Sequence, residues 1–186
     1  MVTDARSSDL SPLAASTGDR LGLDRFVGKV PVVLSFAGPA ASAITAEVVR
    51  GFDEHLAGFG ASRVQALVVV SSDAAELDRA LSRDTTTVPV LADGSGEWRQ
   101  YFGIEEPSDA RVTTLLLDPE GNVVDRLVTD AGGVHAGEAL AMVDRWTASA
   151  CLPSSTFTAG PFVRGAQATD GTAGLVTNVE GDAPSG

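Results

Sequence analysis

Residues Gly28 to Arg50 read GKVPVVLSFAGPAASAITAEVVR, and their reading decides the fold. Val30 to Phe36 is apolar on both faces, as a central strand covered by helices requires. Pro31 fits only near the strand's beginning, because it cannot donate to a ladder. A loop of small residues, Ala37 to Ala43, leads at once into a helix expected over about Ser42 to Phe59. Ser42 suits the N-cap. Val48, Phe52, Leu56 and Phe59 recur at helical spacing as its buried stripe, and Gly58 and Gly60 are expected to stop it. In such strand–loop–helix units an anion is stabilised where the helix begins. Here no Cys, His, Lys, Arg, Asp or Glu appears in the loop or first turn until Glu47.

Downstream, Val64 to Ser71 (VQALVVVS) is a second buried strand, and the two strands joined through a helix should lie parallel with a right-handed crossover. Asp73 to Arg83 is a shorter amphipathic helix with Leu77 and Leu81 inward. Val88 to Ala92 is a short strand, and Asp93 to Phe102 turns into a helical segment packing Trp98 and Phe102. Pro107 to Asp109 marks a loop. Val112 to Leu117 and Val123 to Val128 form a hairpin closed by Asp118-Pro-Glu-Gly-Asn. A last helix, about Val134 to Thr147, turns Leu140, Val143 and Trp146 to the core. The order β-α-β-α-β-α-β-β-α gives an α/β fold with a mixed central sheet and helices on both faces. Residues 1–19 read as a flexible arm and residues 20–150 as the domain. Residues 151–186, rich in Gly, Ala, Thr and Ser, read as a low-complexity tail with Phe157, Phe162 and Val163 available to dock.

Bulk composition excludes several functions. The 186 residues carry a net charge of −12 and a pI near 4.4. Nucleic acid and anionic membrane are excluded as partners, since both need clustered Lys and Arg. Lys29 is the one lysine against twelve arginines, which fits codon bias rather than function. The acidic N-terminus is no secretory signal, and no run approaches the roughly 18 apolar residues of a membrane helix. One cysteine precludes an intrachain disulfide and any CxxC motif. The expected location is the cytoplasm, with no cofactor and no metal.

Four stretches together resemble the alkyl hydroperoxide reductase/thiol-specific antioxidant family, the peroxiredoxins and their redoxin relatives. They are GKVPVVLSF (28–36), ITAE (44–47), VPVLADGSGEWRQYFGI (88–104) and TTLLLDPEGNVV (113–124). The resemblance spans about Leu21 to Trp146 and implies a thioredoxin-like fold. In that family a peroxidatic Cys stands three residues before a helix Glu, here Glu47, so the position falls on Ile44. The family's Pro and its Thr or Ser upstream fall on Ala37 and Ala41. Both positions of the thioredoxin CxxC pattern are apolar as well, Ala41 and Ile44. The Arg that faces the cysteine aligns with Val112, and a one-residue slip would bring Arg111 there. The family's chemistry needs a thiolate, and Ile44 cannot ionise or be oxidised. The fold is therefore carried over and the activity is not.

Other candidates are weaker. Cys151 follows the last helix and has no cation nearer in sequence than Arg145 and Arg164 to lower its pKa. His55 and His135 read as surface or capping residues, without a paired nucleophile. Asp53-Glu54 and Glu105-Glu106 read as solvated charges. Gly94-Ser95-Gly96 lacks the Lys and the spacing of a phosphate loop. Ser42 and Thr45 are the only hydroxyls at the helix start, and with Arg111 they outline an edge for an anion or a ligand. Two functions remain: a non-redox binding or scaffold module for a protein or small-molecule partner, and an atypical thiol oxidoreductase or peroxidase depending on Cys151. The resemblance also leaves a homodimer open, through a sheet edge or the active-site face.

Overall fold

The structure is a computed structural model that describes residues 9–81, 86–104, 111–130 and 135–151. The chain divides into two units, residues 1–147 and 148–186. The expected loop at Pro107 to Asp109, Glu105-Glu106 and the docking residues of the tail lie outside the described residues.

In chain order the described residues run through β1 (Leu13–Ala15), β2 (Arg20–Leu21), a 3-10 turn (Leu23–Arg25) and β3 (Val32–Phe36). There follow α1 (Ala43–Ala61), β4 (Gln65–Val70), α2 (Ala74–Leu81), β5 (Val90–Ala92) and α3 (Glu97–Tyr101). The strands β6 (Arg111–Leu117) and β7 (Val123–Asp130) precede α4 (His135–Cys151). The seven strands form one sheet in the order β2-β1-β5-β4-β3-β6-β7. β3 pairs in parallel with β4, and β4 with β5. β6 is antiparallel to both β3 and β7. The parallel crossover and the closing hairpin are as the sequence implies.

Strand alternation divides the core in two. Val33, Val68, Val90 and Val112 face the helices α1, α2 and α4, with Phe52, Leu77 and Met142 in the same cluster. Leu34, Phe36, Leu67, Val69, Leu115 and Leu117 face the opposite side and pack with Leu23 and Trp98. α1 and α4 meet closely: a Cβ on Gly58 would stand 2.7 Å from Leu140, and one on Gly51 would stand 3.2 Å from the Ala136 methyl.

Two expectations are corrected here. The arm expected to be flexible over 1–19 contributes β1 to the sheet. Ala14 pairs with Ala92 and Ala15 with Leu91, while Leu10, Leu13 and Ala15 are buried. Residues 1–8 lie outside the described residues. Second, Gly58 and Gly60 do not stop α1, which runs on to Ala61. The chain turns at Arg63, which takes a left-handed φ of 56°, while Val64 N–H reaches back to the Phe59 carbonyl.

Candidate functional site

The head of α1 is the place to look, since a strand end and a helix start meet there. The loop before it is tied to the segment after β4. Ala37 N–H donates to Val69 O, Ser71 N–H to Gly38 O, and Ala40 N–H to the Ser72 hydroxyl at 2.9 Å. Ser42 takes the extended N-cap conformation, yet its side chain makes no capping bond. The first intrahelical bond runs from Ala46 N–H to Ser42 O. Ordinarily the N–H groups before it have no partner inside the helix.

Around this head the sequence candidates scatter. Ala41 is exposed, Ile44 is half-buried against the helix-side core, and Ala37 and Val112 are buried in that core. Arg111 does not join them. It is exposed on the sheet face opposite Val112, pairs in register with Asp130, and its Nε lies 3.7 Å from the Asp130 carboxylate. The slip that would turn Arg111 to the helix head does not occur. An anion edge built from Ser42, Thr45 and Arg111 together is thereby ruled out. Thr45 is 2% exposed, and its hydroxyl has no hydrogen-bond partner.

Beside the head, α1 and α2 enclose a groove of about 560 Å³ whose lining includes Thr45 but not Ile44, Ala41 or Val112. Val49, Val70, Leu77 and Val90 form its apolar wall, and Glu47, Arg50 and Asp53 its charged part. Asp53 is no free solvated charge: one carboxylate oxygen accepts the N–H groups of Thr87 and Val88, at 2.9 and 2.7 Å. Arg50 stands 4.0 Å from Glu54, both exposed.

The histidines separate. His55 bonds back to the Gly51 carbonyl through Nδ1. His135, expected as a surface or capping residue, is the first residue of α4 and is fully buried. Its two ring nitrogens bond the hydroxyls of Thr114 on β6 and Thr129 on β7, and its ring lies 6.3 Å from that of Phe52. Burial lowers its pKa to about 4. Periodicity gave no sign of this, because Thr114 and Thr129 come together only through the hairpin register. Asp93 was also passed over. Fully buried, it accepts the N–H groups of Trp98 and Arg99 and ion-pairs with the Arg99 guanidinium at 3.3 Å. The Gly94-Ser95-Gly96 turn thus serves α3, with Gly96 at a left-handed φ of 73°.

Cys151 is the last residue of α4. Among the described residues no three His, Cys, Asp or Glu side chains come together as a metal site, and no helix is long and apolar enough to cross a membrane.

A family model described as Redoxin matches residues 2–139. The chain belongs to the Redoxin family. Solved structures similar to this redoxin include Xanthomonas campestris peroxiredoxin Q, with a TM-score of 0.66 and 22% identity over 75% of this chain and 92% of that one. A cysteine-to-serine variant of Xylella fastidiosa PrxQ gives 0.68 at 18% identity, over 78% and 95%. Mycobacterium tuberculosis peroxidoxin BcpB gives 0.63 at 20%, over 73% and 92%. These likenesses establish the thioredoxin-like, peroxiredoxin-type fold for the redoxin domain. No curated protein sequence matches the chain.

Proposed function

We propose that this redoxin is a non-redox binding module, in which the fold of a peroxidase is kept and its thiol chemistry is absent. One observation carries the reading. The first turn of α1 bears Ala43, Ile44 and Thr45, and the chain's one cysteine is at position 151. Peroxide reduction of this kind begins with a thiolate attacking the O–O bond, and a helix N-terminus promotes it by lowering a cysteine pKa. With isoleucine there, the helix head has no nucleophile to activate. A helix start whose N-cap side chain makes no capping bond and the adjoining groove fit binding instead.

The test is peroxide consumption by the pure protein, with hydrogen peroxide and an organic hydroperoxide, beside the Cys151→Ser variant. Equal and negligible rates are expected. Turnover that disappears with Cys151 would overturn the reading and make the chain a thiol peroxidase acting from the end of α4.

A further inference from the structure

We propose that the groove between α1 and α2 is a binding site for a small organic cation with an apolar body and a hydrogen-bonding substituent. The proposal rests on the binding-module reading and names its ligand class. Three observations converge on it.

The first is size. About 560 Å³ falls within the roughly 300–1,000 Å³ of small-molecule sites. Its wall of valines and Leu77 would take an aromatic ring or a short hydrocarbon.

The second is an unused polar group. The Thr45 side chain lines this groove, and its hydroxyl is buried without a partner. A buried hydroxyl left unbonded costs free energy, and a ligand polar group reaching it would recover that cost. A threonine kept only for packing would be served as well by valine.

The third is charge. Among the described residues, Glu47 and Asp53 line the groove against one cation, Arg50, and Arg50 already stands beside Glu54. With the chain at −12, an anion entering here meets a net repulsive field and a cation an attractive one. The helix head is electropositive, so the cationic end belongs towards Glu47 and Asp53. The polar substituent belongs towards Thr45.

The experiment uses three probes with one ring and three charges: phenethylamine, phenethyl alcohol and phenylacetate, titrated into the full chain while amide resonances are followed. The amine is expected to shift Thr45, Val49, Arg50 and Leu77, and to bind more tightly than the alcohol. Phenylacetate should bind weakest. Glu47→Gln, a surface change, should weaken the amine by roughly 1.5- to 5-fold and leave the alcohol unchanged. Thr45→Val should weaken the alcohol by roughly 2- to 12-fold, provided its amide spectrum remains that of the folded chain. The proposal is overturned if no groove amide moves at millimolar probe, if phenylacetate binds as well as the amine, or if Glu47→Gln affects the amine and the alcohol equally. These failures differ from failure of the reading beneath: Cys151-dependent peroxide turnover would remove the non-redox assignment while leaving the probe map as measured.

Discussion

Replacing His135 with glutamine should remove a specific part of the protein's acid sensitivity. His135 is fully buried between the hydroxyls of Thr114 and Thr129 and beside the Phe52 ring, and among the described residues these partners are uncharged, so burial alone drives the shift. Its pKa falls from the ordinary 6.5 to about 4. Above pH 6.5 neither the folded nor the unfolded chain protonates the ring, and its contribution to stability is whole. Between 6.5 and 4 the unfolded chain takes up a proton that the native site refuses, so stability falls as pH falls. Below 4 both forms are charged and the loss grows no further. The gap corresponds to about 3 kcal/mol, a large share of the ~5–15 kcal/mol that holds a domain folded. The charge would also sit at the first residue of α4, where the helix dipole disfavours a cation. Urea unfolding of the wild type and His135→Gln at several pH values from 7 to 4 measures this. Carboxylate titration acts on both proteins and cancels in their difference. That difference should change by about 3 kcal/mol in the variant's favour as the pH falls. Parallel curves, with a constant offset, would refute the reasoning.

Other outcomes follow from particular sites. In a Cys151→Ser background, Ile44→Cys should yield a thiol whose alkylation profile titrates below the free thiol's roughly 8.5, because the uncapped head of α1 stabilises a thiolate. A midpoint at or above that value would show the head to be electrostatically inert. Asp93→Ala should cost about 3 kcal/mol or more in urea unfolding, since it leaves the Arg99 guanidinium buried without its carboxylate; a loss under 1 kcal/mol would show that Arg99 finds other partners. A chain shortened to residues 1–151 should unfold cooperatively at nearly the full-length midpoint, since the tail's composition supports no core of its own. Loss of cooperativity would show that the fold depends on the tail.

The elements legible in the sequence were those with long apolar runs. VVLSF and QALVVV can only be buried strands, and the helix between them makes them parallel. β1 was missed because three residues, LAA, carry no periodicity. Pairing with β5 and burial of Leu10 and Leu13 hold it in place, and both are long-range facts. Ser42 was read correctly as the residue before α1, but not its idle side chain, because capping position and capping bond are separate properties. The roles of His135, Asp93 and Thr45 depend on groups distant in sequence or on a cavity between two helices. Composition around each residue does not encode them.

The outermost strand has a consequence for how the protein behaves in company. β7 closes one end of the sheet, eight residues long, and Val123, Val124 and Val128 on it are each more than two-fifths exposed. A strand so long and so apolar would template stacking of further chains on its outer rim. The chain answers with Asp125 and Arg126 in the middle of the strand and Asp130 at its end, and with a register shift in the ladder between Leu116 and Leu117. Identical chains stacked in register would set aspartate on aspartate and arginine on arginine. The same strand that completes the sheet thus carries its own brake on fibril growth, and neutralising Asp125, Arg126 and Asp130 together would weaken it.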